Sequence, residues 1–452
     1  MANFRKDTQT FGPTGADRTV FEVPMIATND GNVVTQTNPF PVTISSISQS
    51  SSAETNTDAF GRQRISSPLT LFDSSHRYKD NGLWNEDITG DASSTFSINE
   101  GLVNLTVGDN ANDEIIRETN KVMSYQPGKS LLILNSFVFN AAKTGLRQRV
   151  GYYGSDNGVY LEQDGTNIYV VERSKITGSV VESKIAQADW NVDKLDGTGT
   201  TGYTLDLTKA QILYIDLEWL GIGTVRIGFV INGRFVVCHA FHHANLVSGT
   251  YITTGSLPLR YEIKQQTEVG DSSTATLKQI CSSVMSEGGY ELRGRQQAIG
   301  TVITSPYELT TAGTFYPVAS IRLKTSFLDA IVILTALSIL GTGNGYNYNW
   351  QVVAGGSITG GSWVSAGTNS AVEYNITGTA HTLGTGRILA SGFMASNNQS
   401  SASTDILKEA LFQFQLERNT FTSTSEILTI RIACGTDTAD VFASMDWEEI
   451  SR

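Results

Sequence analysis

Apolar and polar residues alternate in short stretches along most of this chain, and Gly, Asn and Asp interrupt them. A period of two is that of a strand with one buried face, and the interrupting residues are those that tight turns require. Residues 131–139 (LLILNSFVF) read as a core strand. Residues 158–171 read as a hairpin turning at Asp164-Gly165, because glycine accepts positive φ. Along 211–219, Leu213, Ile215, Leu217 and Trp219 take the more apolar face, opposite Ile212, Tyr214, Asp216 and Glu218. Asn232-Gly233 is the strongest short hairpin signal and predicts that 224–231 pairs with 234–239. Residues 259–264 and 275–280 read as two further strands.

The pattern breaks at 291–297 (ELRGRQQ), a polar stretch suited to a boundary. Beyond it, 307–324, 331–340, 346–353, 361–364, 372–376, 382–390, 410–417, 426–434 and 440–448 predict a second β unit. Residues 327–340 (FLDAIVILTALSIL) predict a core strand pair or a short buried helix. Residues 405–412 predict a short helix capped by Ser403 or Thr404. No internal period points to a propeller or solenoid. The first 56 residues are rich in Asn, Thr, Ser and Pro, with short apolar patches such as Val42 and Ile44. Two readings stand there: a leader with no core of its own, and an extended arm that gains order by adding its Val42–Ile44 strand to a neighbour. The expected fold class is all-β, with two or more antiparallel β-sandwich or jelly-roll-like domains behind an extended N-terminal arm. The expected domains are 1–56, 57–295 and 296–452.

Composition sharpens this. Glycine is 43 of 452 residues and charged residues are 17%, which suits hydrated turns better than helices on a parallel sheet. A net charge of -12 argues against a general nucleic-acid binder, which needs a basic face. Cys238, Cys281 and Cys434 are far apart and odd in number, so they read as buried small apolar residues made in a reducing compartment. The opening MANFRKDTQTF lacks an apolar signal-peptide core, and residues 327–340 are too short to span a bilayer. Synthesis in a cytoplasm without membrane insertion is the expectation.

Candidate chemistry is sparse. His239, His242 and His243 form a cluster, but in a strand 239 and 243 share a face that 242 opposes, which favours a structural role over a metal site. Asp216 and Glu218 share one strand face, as a glycosidase pair could, although polar strand faces carry such residues routinely. Residues 154–165 resemble a calcium loop in composition alone. Gly128-Lys129 lacks the glycine that a phosphate loop needs at position 123, which is Met. No Gly-x-Ser-x-Gly elbow is present. Arg62, Arg64, Arg77, Arg147 and Arg149 suit forked salt bridges at a subunit contact, or a solvated loop. No catalytic residue, cofactor or metal is expected from these patterns.

Several words occur in an order that resembles one family. They are Asp58-Ala59-Phe60-Gly61-Arg62 through Arg64, Ser67-Pro68, Thr70-Leu71-Phe72-Asp73 and residues 125–130 (YQPGKS). Asp189-Trp190-Asn191, residues 193–197 (DKLDG) and 216–221 (DLEWLG) follow, then Arg226, Gly228-Phe229, the His239 segment, Leu257-Pro258 and Arg260-Tyr261. Together, over about residues 57–265, they resemble structural proteins of tailed phages, especially marine and cyanobacterial ones. The resemblance implies a non-enzymatic virion component and transfers no catalytic residue. Its partners would be other virion proteins and further copies of itself, with a trimer as one symmetry. Val42, Ile44, Phe60, Arg62, Arg64 and Phe72 are the candidate assembly residues. One alternative is a receptor-facing module that binds a host-surface glycan through Trp350 and Trp363. Another is a virion-associated polysaccharide depolymerase using Asp216 and Glu218.

Overall fold

The structure, a computed structural model, describes residues 67–270, 273–396, 402–405 and 413–450, with the backbone alone at 402–405. The arm expected at 1–56 lies outside the described residues, as do Val42, Ile44, Phe60, Arg62 and Arg64. Residues 66–452 form one compact unit.

The fold is all-β, with antiparallel sheets stacked as sandwiches. In the first sandwich one sheet runs, edge to edge, Arg234–Phe241, Val225–Ile231, Gln211–Leu217, Leu131–Val138, Ala275–Ser286, Leu102–Val107 and Ser93–Ser97. Leu69–Ser75 adds to it beside Ala275–Ser286. The facing sheet runs Val181–Ala186, Asn167–Ser174, Gly158–Asp164, Leu146–Tyr153, Leu259–Gln265, Glu114–Thr119 and Trp84–Thr89. In the second sandwich one sheet orders Arg295–Gly300, Ala439–Ile450, Ile331–Gly341 and Ala402–Asp405, with Tyr307–Leu309 also on Ala439–Ile450. Its partner orders Val364–Ser365, Val372–Asn375, Tyr316–Leu323, Leu428–Cys434, Tyr346–Ala354 and Arg387–Ser396.

The period of two is what builds these layers. Leu131–Val138 alternates buried and half-buried positions without a break. Leu213, Ile215 and Leu217 are fully buried against Val150, Leu161 and Ile263 of the facing sheet. Each such side chain contributes about 1.5–3 kcal/mol by leaving water. Asn232 and Gly233 take φ of 51° and 73°, and Ile231 pairs directly with Arg234. That pairing carries a bulge, since Ile227 faces His239 while Gly228 faces Val237. The other hairpin closes one residue later than expected: Asp164 pairs with Asn167, so Gly165-Thr166 is the turn.

The second half departs from expectation in detail. Residues 327–340 form neither a strand pair nor a helix; after a short turn at Thr325–Phe327 the chain enters one strand, Ile331–Gly341, where a β segment was expected at 331–340. Its β-branched run is buried on both faces at its start, so no alternation marks it. The segment expected at 382–390 splits into Ala380–Thr382 and Arg387–Ser396 around a turn. The one expected at 361–364 resolves into Ser357–Thr359 and Val364–Ser365. Of 410–417, the described part holds an isolated bridge from Gln415 to Ile333. Asp405 ends a strand, and 406–412, where the short helix was expected, lie outside the described residues.

Candidate functional site

Three sets of polar side chains stand out, and each arises from strand periodicity or from a turn. The first is a ladder on the outward face of the Val181–Ala186 to Trp84–Thr89 sheet. Leu259, Tyr261 and Ile263 point into the core, so Arg260, Glu262 and Lys264 point out. By the same alternation Arg147, Arg149 and Tyr153 face outward from the adjacent strand, with Tyr160 and Glu162 beyond it. Arg149 Nε reaches Glu162 Oε2 at 2.5 Å and its Nη1 reaches Glu262 Oε1 at 3.3 Å. Arg147 meets the same Glu262 oxygen at 2.6 Å. Arg173 meets Glu182 at 2.7 Å, Lys184 meets Glu162 at 2.6 Å and Arg260 meets Glu118 at 2.5 Å. Arg173 lies over the rings of both Tyr153 and Tyr160, 5.4 and 5.1 Å from their centroids. Burial opposes the Glu182 charge, but hydrogen bonds from Tyr160 and Arg173 and the field of Arg149 hold its carboxyl down to about 2. Each carboxylate named here is paired with a cation.

The second set contains the histidines, which diverge. His239 is buried, and Asn191 N donates to its Nδ1 at 3.3 Å. Burial and the neighbouring His242 push its pKa down to about 4. His242 is exposed and meets Thr224 Oγ1. His243 is buried, stacked on Tyr251 at 3.8 Å between ring centroids. Its Nδ1 faces Gly223 O at 2.6 Å and its Nε2 faces Glu172 Oε2 at 2.8 Å. A carbonyl and a carboxylate both accept, so both ring nitrogens carry protons and the ring is an imidazolium. Burial works against that charge, yet the bonds to Glu172 and Gly223 raise its pKa. Among the described residues no group of three or more His, Cys, Asp or Glu converges as a metal site would.

The third set joins the sandwiches. Arg418 Nη1 lies 2.8 Å from Glu118 Oε1 and its Nε lies 3.2 Å from Asp329 Oδ1. Its Nη1 also donates to Thr119 O, and Asn85 Nδ2 donates to Arg418 O. Asn120 Nδ2 donates to Glu417 Oε2 at 2.7 Å, and Gln415 Nε2 donates to Val122 O at 3.0 Å. Val122 packs with Ile331 and Ile333 in a small apolar core beside these bonds.

The other expected residues are placed singly. Asp216 pairs with Arg226, and burial pushes its carboxyl above the usual range against that pull; Glu218 is exposed. Phe72, expected at an assembly contact, is buried in the first core, edge-on to Trp84 at 6.0 Å. Trp350 packs on the second core over Gly392. Trp363 lies beneath the Arg322 guanidinium at 4.1 Å. Three strands of one sheet separate the Trp350 strand from Val364–Ser365, so the two tryptophans do not form one surface. Arg147 and Arg149, expected at a subunit contact or in a loop, are consumed in the ladder. Cys281 is exposed, unlike Cys238 and Cys434, because a bulge between Gln279 and Cys281 switches the faces of its strand and places it outside.

The sequence words at 125–130, 189–197 and 216–221 land on turns and packing. Asp193 Oδ1 accepts Leu195 N and its Oδ2 accepts Thr201 N, which closes a loop whose Leu195 has φ 49°. Asp196 accepts both the amide and the hydroxyl of Thr198. Asn191 and Ala240 exchange two hydrogen bonds. Tyr125 and Trp219 meet edge-on at 5.7 Å, and Leu220 N donates to the Tyr125 hydroxyl.

The ladder, the Glu172–His243 pair and the junction were missed in the sequence. A faint signal exists for the first, since Arg147/Arg149 and Arg260/Glu262/Lys264 repeat charge at every second residue. No signal marks the other two, whose partners lie 71 and about 300 positions apart.

No family model matches the sequence, and no curated protein matches it. Among solved structures, the chain is similar to the Emp47p carbohydrate recognition domain at 10% identity, over 48% of this chain and 96% of that one, with a TM-score of 0.32. It is similar to a Bacteroides ovatus mixed-linkage-glucan GH16 protein at 10% identity, over 47% and 99% of the two chains, with a TM-score of 0.32. It is also similar to arcelin-5, a lectin-like defense protein from Phaseolus vulgaris, at 12% identity, over 48% and 98%, with a TM-score of 0.30. A likeness of that size carries nothing about ligand, substrate or partner for this chain.

Proposed function

We propose that this chain is a non-enzymatic structural component of a repeated assembly, of the tailed-phage virion kind that its sequence resembles. The observation that carries the reading is where the shared words lie: Asp193, Asp196, Asn191, Tyr125 and Trp219 close turns and pack strands. A pattern shared for its architecture fits a protein whose work is to hold a shape. Two further features support it. The ladder carboxylates and Asp216 are tied to arginines or lysines, and the two sandwiches are bonded into one body at Arg418. Electron microscopy of the intact particle tests the reading. Repeated copies of this double sandwich in contact with other virion proteins are expected, and purified particles without the chain overturn the proposal.

The glycan-binding reading rests on Trp350 and Trp363, and both ring faces are partly taken, by the core and by Arg322. A glycan array on the full chain decides it. For the depolymerase reading, Asp216→Asn would have to abolish polymer cleavage, and an intact protein that cleaves nothing ends it.

A further inference from the structure

The junction holds one group whose charge its surroundings oppose. Glu417 and Glu426 come together because Glu426 N donates to Glu417 O at 2.9 Å. Arg387 Nη2 lies 2.6 Å from Glu417 Oε1 and 3.7 Å from Glu426 Oε2, so one guanidinium nitrogen serves two carboxylates. Glu417 is also the side chain that grips the first sandwich, through Asn120 Nδ2 at 2.7 Å and Lys121 Nζ at 3.6 Å. The side chains of Glu417, Lys121 and Glu426 are 8%, 14% and 22% exposed and that of Arg387 is 44% exposed, so the carboxylates are mostly buried while their cation reaches solvent.

Among the described residues, the charged groups facing Glu426 are Glu417 from its own segment, Arg387 from the Arg387–Ser396 strand and Lys121 from the first sandwich. Arg418, Glu118 and Asp329 make the adjoining set, and Arg260 on Glu118 balances its charge. Two carboxylates this close in a dry site do not both ionise cheaply. Burial first, and then Glu417, push the Glu426 carboxyl up to about 7, more than Arg387 offsets. Lys121 compensates little, since burial drives its own pKa down.

We propose that the Glu417–Glu426 pair is a proton-operated clasp between the two sandwiches. With one proton shared between the carboxyls, Glu417 keeps its hold on Asn120 and Lys121. When that proton leaves, the carboxylates repel and the hold loosens. The folded value is raised above the ordinary 4.5. The clasp is therefore fully present below 4.5 and weakens as pH rises through about 7.

Scanning calorimetry of the full chain at pH 6 and pH 8.5 tests this, with Glu426→Gln as the permanently neutral variant. The wild type is expected to unfold in one transition at pH 6 and to split or broaden at pH 8.5, while the variant keeps one transition at both. His243, whose pKa is also raised, is common to both proteins, so its contribution cancels in the comparison. A variant that splits as the wild type does, or a wild type with the same transition at both pH values, overturns the proposal. Should Glu426→Gln fail to fold, carbon-13 titration of the wild-type glutamates decides instead. One carboxyl is expected to titrate near 7, and a set that all titrates below about 5.5 sinks the clasp.

Discussion

A methyl group added at Gly151 would sit 2.5 Å from the Val159 carbonyl oxygen and from Tyr160 Cβ, whereas one added at Gly233 would meet nothing within 4 Å. The two glycines are needed for different reasons. Gly233 supplies φ of 73° in a two-residue turn, a conformational requirement alone. Gly151 lets Tyr160 lie flat across its neighbour strand, a steric one. Gly233→Ala is therefore expected to cost about 1 kcal/mol. Gly151→Ala is expected to cost at least twice that, because the obstacle is backbone; urea unfolding of both variants checks the ranking. His243 makes a second residue-level prediction. Its folded pKa is raised above 6.5, so its contribution is fully present below 6.5 and is lost as pH rises through the folded value. Removing the partner charge with Glu172→Gln should flatten the fall in stability as pH rises above 6.5. A slope equal to the wild type's would show that the pair does not hold the proton.

At the scale of the sheet, the ladder is a closed circuit. Arg149 stands between Glu162, Glu182 and Glu262, and its side chain is 5% exposed. Arg149→Ala leaves Glu162, Glu182 and Glu262 with only Lys184, Arg173 and Arg147 to face them and is expected to cost about 3 kcal/mol. Arg149→Ala with Glu262→Gln should recover part of the loss, and a double-mutant cycle on unfolding free energy measures it. Glu182, held at about 2, stabilises the fold above its ordinary 4.5. That contribution disappears as pH falls from 4.5 toward 2, so acid should open the Val181–Ala186 edge early. Strand identity in this half was readable because alternation was clean, as in Leu131–Val138. It was poorly readable in Ile331–Gly341, where burial of both faces erased the period. The ladder went unread because a charge at every second residue looks the same on a solvated face and on a packed one.

The whole molecule depends on Arg418. Its guanidinium joins Glu118 and Thr119 of the first sandwich to Asp329 of the second. Arg418→Ala should weaken the chain by about 3 kcal/mol and let the sandwiches unfold in separate steps. A single calorimetric transition in that variant would mean that the small apolar core of Val122, Ile331 and Ile333 suffices to couple them. By itself the sequence determined the β class, the Asn232-Gly233 hairpin and the inward faces of strands such as Gln211–Leu217, because period and turn chemistry are local. Tertiary structure alone decided that the three histidines part company, that Phe72 belongs to a core, and that Glu417, Glu426 and Lys121 meet. Those outcomes depend on which distant strands become neighbours, and the energy of a buried charge is set by partners hundreds of positions away.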